Sequence, residues 1–267
     1  MEEQEAAFRV ALRGQLGLPL EFHGTLDSTN RRAAEWASNG APHGALVVAD
    51  HQTAGRGRHG RTWLSHPGAG LLFSLILRGH DYLDSPGVLT TALGVAVAQG
   101  ITDAAEIATS VKWPNDVYSG GRKLAGILVE TTTGTADAAV IAGIGVNVSL
   151  PPSKLPRGIA ERATSIVEQR RRVTEGPPPG RAELLAHTLL RFEQLWAEVA
   201  TNGPGELMTT ATSLSEVLGR HVLITLPGGT SVEGEATGLT HEGALVVDSP
   251  DGRMELMSGE VELLRSS

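Results

Sequence analysis

Near Ser215 the hydrophobic period of the chain changes, and that change limits the fold more than any other feature. Upstream, helix-period stretches alternate with short apolar runs. Downstream come closely spaced alternating strands: Val222, Ile224 and Leu226, the turn Pro227-Gly228-Gly229, then Val232, Leu245, Val247 and the run Met254 to Leu264. Short strands at such spacing bury a core by curling into a small barrel. Mixed elements followed by an all-strand tail make the main domain α+β. The expected division is an N-terminal helix or tail over 1–22, a main domain over 23–215 and a small strand domain over 216–267.

Within the main domain, Ser28-Thr29-Asn30 gives helix-start chemistry to a segment that runs to Asn39 and stops at Gly40. Ala45 to Ala49 and Gly70 to Leu77 read as buried strands, and Val88 to Ala105 as a packed helix. Val111 to Val117 and Lys123 to Glu130 flank Ser119-Gly120-Gly121 as a hairpin, and Ala138 to Val148 is apolar enough for a central strand. Glu168 to Gly180, with three consecutive arginines and Pro177-Pro178-Pro179, reads as an exposed loop. An amphipathic helix follows, with Leu185, Leu189, Phe192, Leu195, Trp196 and Val199 on one face for packing on the sheet.

Charge excludes some function classes. A formal net charge of -8 over 267 residues argues against a protein held to nucleic acid by bulk electrostatics. There is no cysteine, hence no disulfide or thiolate metal site, which fits a reducing compartment and makes the cytoplasm the expectation. The acidic start Met1-Glu2-Glu3-Gln4-Glu5 is unlike a signal peptide, and no apolar run reads as membrane-spanning. Of 22 basic residues only Lys112, Lys123 and Lys154 are lysines. Arginine and lysine are not equivalent where a compact point charge is needed, so the three survivors are informative.

Gly55-Arg56-Gly57-Arg58-His59-Gly60-Arg61 concentrates three arginines in an acidic chain. Guanidinium groups grip carboxylate and phosphate oxygens in bidentate fashion, and the intervening glycines let the backbone approach a ligand. The stretch also matches Gly-x-Gly-x-x-Gly, but that dinucleotide fingerprint requires a helix to open at once. Thr62-Trp63-Leu64-Ser65-His66-Pro67-Gly68 does not make one. A second cluster is Lys112-Trp113-Pro114-Asn115-Asp116, followed by Lys123-Leu124-Ala125-Gly126-Ile127-Leu128. A lysine leaving an apolar strand ordinarily snorkels to water, yet Lys123 leads into a run destined for burial.

These three segments resemble, in order and spacing, the motifs of biotin protein ligases. Ser28-Thr29-Asn30, Gln52 and Gly143-Ile144-Gly145-Val146-Asn147 extend the resemblance densely over residues 25 to 150. It implies a mixed-sheet catalytic domain of the class II synthetase/biotin ligase type with an SH3-like C-terminal barrel. The implied activity joins biotin to ATP as biotinyl-5'-AMP and passes biotin to a lysine of a biotin carboxyl carrier protein, as in acetyl-CoA carboxylase. The resemblance puts Ser28, Thr29, Asn30, Gln52, Arg56, Gly57, Arg58, Lys123 and Gly126 at biotin. It puts Arg58, Arg61, Trp63, Lys112, Asn115 and Asn147 at ATP, and Arg56, Arg58, Lys112 and Lys123 in catalysis. Mg2+ would ride on the phosphates, with Asp116 the side chain available to help.

Only about two dozen residues precede Ser28, too few for the winged-helix domain that some family members carry. The expectation is therefore a ligase without DNA binding, monomeric or homodimeric and not membrane-bound. Two rivals remain: a lipoate or octanoyl ligase or transferase of related fold, and a binding module whose arginine loop holds RNA or an acidic protein.

Overall fold

The computed structural model describes residues 2–132, 138–150 and 154–264. Two sheets divide the chain. The first has seven strands: β1 (Leu20–Leu26), β2 (Leu46–Gln52), β3 (Gly70–Leu77), β4 (Ser110–Lys112), β5 (Asp116–Ser119), β6 (Arg122–Thr131) and β7 (Val140–Asn147). Their order is β1-β2-β3-β7-β6-β5-β4, with β1 and β2 parallel and every other pair antiparallel. The boundary expected between residues 22 and 23 falls inside β1. Ahead of it, α1 (Glu2–Ala11) sends Phe8 into the core to stack on Phe22.

Strands β3 and β7 are buried on both faces, which is why they read as unbroken apolar runs. Their alternate residues serve different neighbours. Phe73, Leu75, Ala142, Ile144 and Val146 join the main core with α4 (Pro86–Ala105). Ile76 and Ile141, with Val47 of β2, pack on the other face against Ala33 and Ala37 of α2 (Thr29–Ser38). Helix α4 is long and apolar enough to cross a membrane, contrary to the reading that no segment is, but most of it is buried inside the protein. Its small residues permit close approach: a Cβ on Gly100 would lie 2.8 Å from the Thr188 backbone of α7 (Arg181–Asn202). Helix α7 thus packs largely on α4 rather than directly on the sheet.

Short helices α3 (His80–Asp84), α6 (Ile166–Arg170) and α8 (Gly205–Ser213) complete this layer, while α5 (Arg157–Ala160) stands outside it with no buried residue. Helix α6 corrects the expected loop over 168–180. Ser165 caps it through Glu168 N, and buried Arg170 donates to Ala105 O at 2.9 Å, satisfying a carbonyl at the end of α4. From Arg171 the segment is mainly exposed, as read.

The second sheet is antiparallel, in the order β11-β10-β9-β8-β12, from β8 (Arg220–Thr225), β9 (Ser231–Leu239), β10 (Leu245–Ser249), β11 (Gly252–Leu256) and β12 (Glu260–Leu263). The run Met254 to Leu264 is two strands rather than one, because the chain turns at 257–259 so that β12 returns to pair with β8. Its core of Val217, Val222, Ile224, Ala236, Leu245 and Val247 admits one residue from the first unit, Trp113, whose indole donates to Gly243 O at 3.1 Å.

Candidate active site

The expected strand Val111 to Val117 is β4 and β5 joined by a tight turn at Trp113-Pro114-Asn115. Proline cannot donate to a ladder, so the strand breaks there. Trp113 goes to the second sheet, while Asn115 turns back and donates to Ile127 O at 2.7 Å. The same turn thereby anchors the C-terminal unit and presents a side chain to the cleft.

Alternation in the central strands clears a space on the α2 face. Ser74, Gly143 and Leu128 lie in register across β3, β7 and β6, and Leu72, Gly145 and Gly126 form the next row. Two adjacent glycines leave the sheet without side chains, and the resulting cavity of about 310 Å³ sits over that window. Its roof is the Gly/Arg segment, a single 3-10 turn over 58–60 between extended stretches, so no helix opens after the glycines. Trp63 lies against the glycine floor: a Cβ on Gly145 would stand 2.6 Å from its Cε2, and one on Gly126 3.0 Å from its Cζ3.

One end of the cavity is neutral and polar. Ser28 occupies the N-cap position of α2 and is almost wholly buried, yet its hydroxyl makes no capping bond. Gln52 Oε1 accepts from Thr29 N at 2.7 Å and lies 3.1 Å from Thr29 Oγ1, while Gln52 Nε2 has no partner among the described residues and can donate. Asn30 differs from expectation. Its Oδ1 accepts from Ser74 Oγ at 2.6 Å, and its Nδ2 donates to Glu130 Oε2 at 2.7 Å and Leu128 O at 3.3 Å. It lines the cavity with its polar atoms already engaged. A methyl on Gly143 would collide with it.

The other end is cationic. Lys123 Nζ stands 2.7 Å from Asp116 Oδ1 and over the Trp63 ring, 5.6 Å from its centroid. Arg58 donates to Asn115 Oδ1 at 3.1 Å, and burial pushes its guanidinium below the usual arginine range. Arg61 pairs with Glu260 of β12 at 3.0 Å, whereas Arg56 pairs with Glu130, the carboxylate that holds Asn30 at the neutral end. Lys112 does not line the cavity. It stands one strand further out, with Nζ 3.5 Å from Tyr118 Oη, and burial lowers its pKa. Burial also pushes the Tyr118 phenol up to about 12. Gly57, Arg61 and Asn147 complete the expected lining, and Leu155, Ile159 and Arg162 add a wall that sequence reading missed.

Among the described residues no three His, Cys, Asp or Glu side chains cluster as metal ligands, and the Asp116 carboxylate is engaged by Lys123. The side chains therefore do not fit a protein-built Mg2+ site.

Residues 23–147 match the biotin/lipoate A/B protein ligase family, and residues 217–264 match the biotin protein ligase C-terminal domain. The chain is 38% identical to the bifunctional ligase/repressor BirA of Bacillus subtilis, over 97% of this chain and 78% of that protein. The chain belongs to the biotin protein ligase family. The ligase is also 32% identical to the biotin--[acetyl-CoA-carboxylase] ligase of Mycobacterium tuberculosis, over 89% of this chain and 86% of that one. It superposes on the biotin protein ligase of Aquifex aeolicus in complex with biotin and ATP with a TM-score of 0.79 at 34% identity, covering 92% and 99% of the two chains. The mixed sheet with its helices is the catalytic fold of that family, and the second sheet is its SH3-like C-terminal domain.

Proposed function

We propose that the ligase activates biotin with ATP, giving biotinyl-5'-AMP and pyrophosphate, and transfers biotin to a lysine of a biotin carboxyl carrier domain. The observation that carries this reading is the unspent hydrogen-bonding capacity at the neutral end of the cavity. Among the described residues Ser28 Oγ and Gln52 Nε2 have no hydrogen-bond partner, although Ser28 sits where serine normally caps. A ureido ring entering an apolar cleft needs such groups, because each buried polar group left unpaired costs roughly 1–3 kcal/mol. A dithiolane or an octanoyl chain needs none, which favours biotin over the lipoate and octanoyl alternative.

In the first step a carboxylate oxygen of biotin attacks the α-phosphorus of ATP and the bond to the leaving pyrophosphate breaks. Both reactants are anions. Arg56, Arg58 and Lys123 supply the opposing charge, and Lys123 is held for the task by Asp116. Pre-placed charge of this kind is catalysis by electrostatic stabilisation and positioning. ATP enters as its Mg2+ complex, with the metal held by phosphate oxygens. Gly57 and Gly126 let the ligand approach backbone, Trp63 and Asn147 receive the adenine, and Arg61 and Asn115 flank the nucleotide. Lys112, behind Asp116, adds positive potential at the phosphates.

The mixed anhydride is prone to hydrolysis, and the roof over 55–64 excludes water from it. In the second step the acceptor amine attacks the acyl carbon, an amide forms and AMP leaves. A cytoplasmic location suits a chain without cysteine. Incubating the ligase with MgATP, a carrier domain and equal labelled biotin and lipoate tests the proposal. Covalent transfer of biotin alone is expected, and transfer of lipoate alone would overturn it.

A further inference from the structure

A continuous path of hydrogen bonds runs around the neutral end of the cavity and returns to the roof. Gln52 Oε1 binds Thr29 N, Thr29 Oγ1 lies 2.8 Å from Ser74 Oγ, and Ser74 donates to Asn30 Oδ1. Asn30 Nδ2 then donates to Glu130 Oε2, whose other oxygen takes the Arg56 guanidinium. Gln52 ends β2 and Arg56 lies four residues later in the roof, so the circuit ties the two sides of the roof's root through α2, β3 and β6. Glu130 is the one anion in the circuit. It does not line the main cavity; it faces a groove beside α2 together with Arg56, Asn30 and Thr132.

We infer that Glu130 is a positioning residue that seats the roof arginine Arg56 and couples its place to the hydrogen-bonded end of the cavity. This rests on the activity proposed above. One carboxylate oxygen fixes Asn30, and through Ser74 the orientation of Thr29 and Gln52. The other fixes a guanidinium that must meet the biotin carboxylate. A charge-assisted bond is roughly twice as strong as a neutral one, so the charge of Glu130, beyond its shape, holds Arg56. Glu130→Gln separates the two functions, since the amide oxygen still accepts from Asn30 while the ion pair is lost.

Two readouts test it. The first needs no ligand: tryptic cleavage after Arg56, Arg58 and Arg61 is expected to accelerate in Glu130→Gln with an unchanged melting temperature. Asp103→Asn, which removes a comparable exposed pair with Arg191, is expected to leave those cleavages at the parent rate. The second is release of free biotinyl-adenylate, expected about fivefold faster in Glu130→Gln, equivalent to ~1 kcal/mol. In an Arg56→Ala background the same change is expected to add nothing, because the two residues act as one pair. Should Glu130→Gln fold poorly, Arg56→Ala alone must speed cleavage after Arg58 and Arg61. Parent-like cleavage and release in these variants, or additive effects in the double variant, would overturn the inference. A parent protein that forms no adenylate would sink the activity instead, with the cleavage comparison still deciding the seat of Arg56.

Discussion

A single methyl group at Gly145 is expected to separate stability from activity. Gly145 lies in central strand β7, paired with Gly126 on one side and Leu72 on the other, and faces the cavity. A Cβ there would stand 2.6, 2.8 and 2.9 Å from Cε2, Nε1 and Cζ2 of Trp63, against about 3.5–4.0 Å for an unstrained contact. The indole must therefore move by about 1 Å or swing out. It is a half-buried ring on the roof, so moving it costs the fold little. Alanine also loses less backbone entropy than glycine in a strand, by roughly 0.5–1 kcal/mol. Gly145→Ala is expected to melt at or slightly above the parent temperature. The nucleotide half of the site fares differently, since a misplacement of about 1 Å can cost on the order of 10²-fold in rate. Biotin-dependent pyrophosphate release is expected to fall by that order with a raised KM for ATP, while calorimetric biotin affinity stays within a few-fold. Parent-level turnover, or lost biotin binding with ATP use intact, would refute the placement of the glycine floor.

Ser28→Ala removes a hydroxyl that makes no capping bond and has no partner among the described residues, so the melting temperature is expected to hold while biotin binding weakens by ~1–3 kcal/mol in calorimetry; unchanged affinity would remove Ser28 from the ring site. Lys123→Met takes a cation from the reacting groups and strands Asp116, and pyrophosphate release is expected to fall on the order of 10²–10³-fold. Normal release would contradict that role. Burial lowers the pKa of Lys112 below the ordinary 10.5. Below the folded-state pKa both states carry the proton and the burial penalty is full. Between that value and 10.5 the unfolded chain binds more protons, so stability is expected to rise with pH in that window. Lys112→Met is expected to lack this rise in denaturant titrations, and parallel curves for parent and variant would contradict the assignment.

Much of the catalytic unit was legible because its signals are local. Gly70 to Leu77 is apolar on both faces because the strand is central, and the Gly/Arg alternation marks a cationic roof whose backbone can come close to the cavity. Gly143 and Gly145 alternate with Ile144 and Val146 because one face of β7 carries the cavity and the other the core. What escaped depends on partners distant in sequence. Arg170 sits in an arginine run that looks solvated, yet it closes the end of a helix 65 residues earlier. Trp113 lies in a site motif but fills the core of the C-terminal domain, and no spacing announces that. Asn30 has the composition of a ligand group, and only its neighbours show that its amide is already bonded. Ile159 reaches the cavity from a short helix and Arg162 from the turn after it, neither with a pattern of its own. The breaks at Pro114 and at 257–259 were present in the residues, and each run was read through a residue type that ends strands.

The most direct measurement is the mass of the small molecule retained by the ligase after incubation with MgATP and an equimolar mixture of biotin, lipoate and octanoate. The account predicts biotinyl-5'-AMP, with one pyrophosphate released for each adenylate formed. Retention of a lipoyl or octanoyl adenylate, or biotin bound without pyrophosphate release, would contradict it.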